Sequence, residues 1–508
     1  MNSYIDNKRI AKNTMYMYMR MLVIMIVSLY TSRIVYNALG VDNYGLYNVV
    51  GSIIVFFVFI NSGLSAATRR YIMAEMADGD EASQNTVFMT AIRAHGIIAL
   101  IILILAETVG LWFTNTHLNV PEDRMFAANV AYQMSILSAL IMVMQSPYTS
   151  ALISYERMTV YAYLSVFEVL FKLATAFLIL RLPGDELINY SYLVVAATVL
   201  TFLLFFVYCR RTFSICKFSN RTKPGLLKDM FSYMGWSSIG QGSVVASNQG
   251  VTLLVNNFCG LVANAAIGVS NTITQVINNF VTNFQVAFNP QITKSYISKD
   301  YNNLIPFISR TSRYSSFLVL IFLLPICFAS KYFLTIWLGD YPQYAVEFCN
   351  YSMAYIYLEA ITAPLWMVIS SDRNIKNYQI IVSSIFLLNV VFSWVLLALD
   401  FPPFIVVIVK IVVDVILIAA RLYLVKGRIE LFSIHDWVKQ AVGIPCLIAM
   451  CSSIVPFLCF LFLHSDSVWV NFLLLSIVSV ASAAFFIFMI GLTSNERQFV
   501  IKKVKSII

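Results

Sequence analysis

The stretch TMYMYMRMLVIMIVSLYTSRIVYNA, residues 14–38, decides the fold. It is apolar over a length that crosses a bilayer, because about 20 helical residues match a hydrocarbon core roughly 30 Å thick. Lys8, Arg9 and Lys12 precede it, as positive charge precedes a signal peptide. The run is nevertheless longer than the roughly 7–15 residues of a signal core, and no small-x-small cleavage site follows it. It reads as a first span that is retained.

The rest of the chain repeats the pattern. Apolar residues make up 59% of 508 and charged residues 12%. A soluble globular chain carries roughly 25% charged residues, so this composition leaves too little polar surface to cover a water-exposed body. Apolar runs of spanning length fall at 14–38, 44–67, 86–113, 124–152, 158–180, 187–209, 231–257, 262–288, 306–329, 344–370, 377–399, 402–424, 438–463 and 467–491. The expected fold class is therefore all-α integral membrane, with about fourteen transmembrane helices.

Basic residues orient the spans. Alternate connections hold Arg69 and Arg70, Arg157, the cluster Arg210, Arg211, Lys217, Arg221, Lys223 and Lys228, then Lys294 and Lys299, Arg373 and Lys376, and Lys426, Arg428 and Lys439. The tail adds Arg497, Lys502, Lys503 and Lys505, whereas the opposite connections carry Arg124, Arg181 and Lys331. Positive charge stays on the cytoplasmic side. Both termini are expected there. A net charge of +9 thus reflects topology, and no nucleic acid partner is expected. Eight cysteines without a CxxC and four scattered histidines give no metal or disulfide pattern. No P-loop, GxSxG or HExxH occurs, so neither a cofactor nor a catalytic residue is expected.

The basic connection divides the first twelve spans. The expected organisation is an N-terminal six-helix bundle at 1–213, a linker at 214–228, a second six-helix bundle at 229–426, and two further helices with a basic tail at 427–508. Sliding the chain by 220 positions aligns Gly40 with Gly260, Val49 with Val269, Ile72 with Ile292 and Arg93 with Arg313. Parallel repeats of this kind place a substrate path at their interface.

Ionisable groups inside spans cost roughly 2.5–3.5 kcal/mol each on insertion scales and usually face a cavity or a partner. Arg20, Arg93 and Arg313 fall in the cytoplasmic third of spans one, three and nine. If they converge they make a cationic pocket for a phosphate or diphosphate; snorkelling to headgroups is the alternative. Glu168/Lys172 and Lys410/Asp414 have i,i+4 spacing and can pair on one helix face, either as a lock or as a coupling-ion site. Asn271, Gln275, Asn278, Thr282 and Gln285 recur every three or four residues along span eight, and Gln241 and Asn248 lie on span seven. Such a stripe reads as the wall of a wet cavity, because amides and hydroxyls match the hydrogen-bonding character of sugars. Interhelical hydrogen bonding is the plainer alternative.

The run Leu39-Gly40-Val41-Asp42-Asn43-Tyr44-Gly45-Leu46-Tyr47, followed by Gly63-Leu64-Ser65-Ala66-Ala67-Thr68-Arg69-Arg70-Tyr71, resembles the Wzx-type polysaccharide flippases of the MATE-like superfamily, nearest their Bacteroides-type branch. The resemblance implies two six-helix bundles arranged as a V, alternating access, and an undecaprenyl-diphosphate-linked oligosaccharide carried from the cytoplasmic to the periplasmic leaflet. It also implies membrane lipid as partner to the cargo's tail, with a polysaccharide polymerase and a chain-length regulator acting in the same pathway. Gly40, Tyr44 and Gly45 are expected to shape a tight outer turn. Two rival readings stand beside it. An ion-coupled multidrug or cation exporter of the same fold would need a titrating embedded acid such as Glu168 or Asp414. A membrane polymerase or ligase would need a large outer loop, and the outer connections here are short.

Overall fold

The computed structural model describes residues 7–505 apart from 79–80, 156, 220, 222, 287, 372–375 and 463–464. The side chains of 7–19, 77–78, 236–237, 239–241, 286, 290, 376–377, 499–500 and 502–505 are likewise outside the description. Among the described residues there is no strand. Helices α1 (Asn7–Val58), α2 (Ile60–Asp78), α3 (Glu81–Leu105), α4 (Leu111–Thr116), α5 (Met125–Ser154), α6 (Met158–Ile179), α7 (Glu186–Thr212) and α8 (Leu226–Val286) come first. Then follow α9 (Asn289–Ile297), α10 (Tyr301–Leu338), α11 (Ala345–Ser370), α12 (Lys376–Ala398), α13 (Ile405–Arg428), α14 (Ile434–Trp437), α15 (Ile444–Phe462), α16 (Val468–Phe486) and α17 (Ser494–Lys505).

Eleven of the described helical segments are long and apolar enough to cross a membrane. Two of them, Arg20–Val58 and Gly242–Gln285, lie in helices of 52 and 61 residues that break at Gly40 and Gly260, so each counts as two spans. α13 completes a set of fourteen, because Lys410, Asp414 and Arg421 keep it outside a purely apolar selection. An all-helical membrane fold of roughly fourteen spans therefore holds.

The two breaks share one backbone conformation. Gly40 has φ 73° and ψ 174°, and Gly260 has φ 77° and ψ −170°. This region is essentially restricted to glycine, so the positions aligned by the 220-residue offset are also the positions where each chain reversal requires the residue. The two turns meet through Gly45. A Cβ there would lie 2.2 Å from the carbonyl oxygen of Leu261, so only a bare backbone permits the contact.

The chain forms two compact units, Met1–Ala265 and Ala266–Ile508. In the first, α5 packs on α7 and α3, and α1 on α6. At one end its core gathers aromatic rings around Tyr148, with Phe88, Phe206 and Phe202 at centroid distances of 5.4, 5.5 and 6.1 Å. The basic linker is strapped to this end. Asn85 donates to the carbonyls of Ile215 and Lys217, both at 2.8 Å, and Lys223 Nζ donates to Glu75 at 2.9 Å. The Ser83 hydroxyl and Lys223 hold the Glu75 carboxyl below its ordinary range against the opposing effect of burial. At the opposite end Arg124 pairs with Asp185, which also caps α7 by accepting from Ile188 N–H at 3.1 Å. Its second arm donates to Asn43 at 2.7 Å, tying the Gly40 turn to α5 and α7. In the second unit α10 is the central helix, packed on α11, α15 and α16.

Candidate functional site: a polar cavity in the first unit

Four helices of the first unit turn polar side chains into one space. α2 contributes Asn61, Ser65 and Arg69, spaced four apart and so stacked on one face. α5 contributes Gln145, Ser146 and Thr149, α6 Tyr161, Glu168 and Lys172, and α7 Thr198 and Thr201. Together they line a cavity of about 300 Å³. A second cavity of about 400 Å³ shares Val58, Met142, Lys172 and Thr198 with the first. It continues among Tyr47, Ile54, Ser138 and Val194, with a more apolar lining. Lys172 thus stands where the polar chamber passes into an apolar one.

The chamber is equipped for hydrogen bonding. Thr198 and Thr201 donate to carbonyls of their own helix, at 2.8 and 2.9 Å, which leaves hydroxyl lone pairs free to accept. The hydroxyls of Ser65 and Ser146 share a hydrogen bond across α2 and α5. Asn61 Oδ1 is buried with no hydrogen-bond partner, a state that buried amide oxygens rarely keep without water or ligand. Lys172 Nζ lies 2.8 Å from Glu168 Oε1, so the pairing expected from their spacing forms. The lysine side chain is 46% and the glutamate 32% exposed, and both line the cavity.

Cations gather at Tyr161. The Arg20 guanidinium carbon stands 4.6 Å above its ring and Nη2 is 3.5 Å from its hydroxyl. Arg69 lines the same cavity as this tyrosine. Arg20, on α1, therefore borders the cavity through Tyr161. Arg93 is half-buried on α3 and does not line the cavity. Arg313 belongs to the second unit, where Glu496 holds it at 3.1 Å.

The span-eight stripe keeps its register. Asn271, Gln275, Asn278 and Thr282 are all exposed. Gln285 is buried and donates to the Ala360 carbonyl at 3.1 Å, an interhelical role. Asn248 is exposed on the first half of α8; the side chain of Gln241 lies outside the described residues. Lys410 and Asp414 do not form a direct ion pair. Lys410 Nζ caps the Tyr355 ring at 4.0 Å. Asp414 is 2% exposed, and its Oδ2 has no hydrogen-bond partner. Arg421 donates to Thr362 at 2.9 Å. An i,i+4 spacing permits a pair, but the tyrosine face competes for the ammonium.

The sequence reading missed Asn61, Ser65, Arg69, Gln145, Ser146, Thr149, Tyr161, Thr198 and Thr201. Their signal was present as polar residues three or four apart on several helices, too short on each to stand out against the longer stripe of span eight.

Comparison with known proteins agrees with this architecture. The family described as "Polysaccharide biosynthesis protein" matches residues 10–296. The chain is 20% identical to the uncharacterized membrane protein EpsK of Bacillus subtilis (strain 168) over 485 residues, covering 94% of each. Its fold is similar to that of the lipid II flippase MurJ in an inward closed conformation, with TM-score 0.72, 14% identity, and 92% and 97% of the two chains covered. It is also similar to an inward-facing multidrug resistance MATE family transporter of the MOP superfamily, with TM-score 0.61, 12% identity, and 80% and 96% covered. The chain belongs to the polysaccharide biosynthesis protein family, with the fold of MOP-superfamily transporters.

Proposed function

We propose that the protein is a flippase for lipid-linked oligosaccharide repeat units, carrying them between leaflets by alternating access for O-antigen, capsule or exopolysaccharide synthesis. The observation that carries this reading is the cavity of the first unit, with hydroxyls and amides on four helices and cations at one side. Hydroxyls and amides exchange hydrogen bonds with sugar hydroxyls in both directions, whereas a drug pocket is mostly apolar. Arg69, Lys172 and, through Tyr161, Arg20 supply positive charge for the diphosphate. The exposed stripe Asn271, Gln275, Asn278 and Thr282 serves as a second wet surface, since facing hydrocarbon it would keep only the Thr282–Asn278 hydrogen bond at 3.4 Å and leave its remaining amide groups unsatisfied. Arg93 and Arg313 remain candidates for phosphate contact where they approach the cytoplasmic headgroup level.

In this scheme 1–213 and 229–426 act as parallel six-helix halves joined by the linker 214–228, and 427–508 accommodates the prenyl tail. The protein sits in the cytoplasmic membrane with both termini inside. Polymerase and chain-length regulator act downstream on the product. The chain works as a transporter and performs no covalent chemistry.

Reconstitution tests the proposal. Lipid-linked oligosaccharide extracted from a strain lacking the gene is placed in one leaflet of proteoliposomes. Wild-type protein is expected to move it across, and Arg69→Gln and Lys172→Met to slow it at least about tenfold, equivalent to ~1.4 kcal/mol. Efflux of cationic dyes with no movement of the glycolipid would favour the multidrug exporter instead.

A further inference from the structure

Glu496 of α17 is held by three side chains, two of them arginines of α10, and by a backbone amide. Arg313, its side chain 11% exposed, donates from Nη2 to both oxygens of Glu496 at 3.1 Å. The Tyr314 hydroxyl donates to Oε1 at 2.6 Å, Arg310 Nε stands 3.7 Å from the same oxygen, and Thr493 N–H donates to Oε2 at 2.8 Å. Burial opposes its charge, but the Tyr314 hydroxyl, the Thr493 amide and Arg313 hold the Glu496 carboxyl below its ordinary range. The neighbouring Arg497 caps the end of the preceding segment, donating to the carbonyls of Leu492 and Met489 at 3.0 and 2.7 Å. Among the described residues, the hydrogen bonds and ion pairs between α17 and α10 all run through Glu496.

The charges do not balance. Two guanidinium groups surround one carboxylate, and Arg313 Nε is buried without a hydrogen-bond partner. The site has spare positive charge and a spare donor. A phosphate group brings about −1.5 to −2 charge and three acceptor oxygens, and it matches the planar fork of arginine. We propose that Arg310, Arg313 and Tyr314 form a binding site for a phosphate-bearing group, with Glu496 as its resident occupant, a latch that the phosphate displaces. A tethered competitor of this kind acts at an effective concentration of about millimolar. The incoming group must therefore outcompete it by charge and by bidentate geometry. The source of the phosphate is a diphosphate or an anionic lipid headgroup. With a substrate diphosphate as occupant the inference rests on the proposed flippase reading; with a lipid headgroup as occupant it stands apart from that reading.

Binding of inorganic pyrophosphate to the full-length protein in neutral-lipid nanodiscs tests the latch. Glu496→Ala is expected to bind pyrophosphate at least about tenfold more tightly than wild type, because the internal competitor is gone. Glu496→Gln should fall between them. Arg313→Gln in the Glu496→Ala background should abolish the gain, and Arg313→Lys, which keeps the charge and the fold, should lose most of it. Repeating the titration in phosphatidylglycerol nanodiscs separates the sources. Loss of pyrophosphate binding there identifies a lipid headgroup as occupant, and persistence identifies a soluble or substrate diphosphate. Equal affinities of wild type and Glu496→Ala, or an undiminished gain in the Arg313→Gln background, would overturn the proposal.

Discussion

Tyr161 stands beneath the guanidinium of Arg20, with its ring centroid 4.6 Å from the guanidinium carbon. This contact brings a charge of the first span to the border of a cavity built by α2, α5, α6 and α7. Removing the ring should release Arg20 from that position. Tyr161→Leu is expected to slow transport at least about fivefold with little loss of stability, and Tyr161→Phe, which keeps the cation–π contact, to keep most of the activity. Reconstituted transport together with thermal unfolding in detergent separates the two effects.

The Glu168–Lys172 pair makes a contrasting prediction. Because the pair is substantially exposed, its net stabilisation is well under about 1 kcal/mol. Lys172→Met and Glu168→Gln should therefore leave unfolding almost unchanged. Transport should fall strongly for Lys172→Met, since this side chain lines both cavities. Parallel loss of stability and transport would make the pair a structural lock.

The turn glycines are a test of the fold itself. Gly40→Ala and Gly260→Ala place a Cβ in a backbone region that costs about 1–3 kcal/mol for other residues. Gly45→Ala should be worse, because its Cβ would strike the Leu261 carbonyl at 2.2 Å. Membrane-inserted yield and thermal stability report the order, with Gly45→Ala lowest.

Asp185 gives a pH dependence. Burial alone would raise its carboxyl, but Arg124 and the amides of Ile188 and Leu187 outweigh that and hold it below its ordinary value of 3.8. A carboxyl depressed in the folded state contributes stability that is complete above the ordinary value and is lost as pH falls through the folded one. Unfolding temperature should therefore drop on acidification below about pH 4. Asp185→Asn should lower stability at neutral pH and flatten that acid limb. An unchanged acid limb in the variant would place the effect elsewhere.

Much of the architecture was legible in the chain because it depends on local properties. Span length follows from bilayer thickness, and Gly40 and Gly260 mark their turns by a conformation that other residues rarely adopt. The Glu168–Lys172 pair needed only helical spacing. The cavity was less visible, because each helix supplies two or three polar residues and only packing brings Asn61, Gln145, Glu168 and Thr198 together. Arg313 illustrates the limit most clearly. Its partner Glu496 lies 183 residues away, so no periodicity could pair them. Lys410 shows the opposite error, where correct spacing to Asp414 yielded to the ring of Tyr355.

The leaflet distribution of lipid-linked repeat units in a strain lacking the gene is the most direct measurement of what crosses the membrane. Repeat units should build up facing the cytoplasm, shielded from a sugar-modifying enzyme added outside. Wild-type protein should return them to the outer leaflet, and protein carrying both Arg69→Gln and Lys172→Met should not. An unchanged distribution with normal surface polysaccharide in the deletion strain would contradict the account.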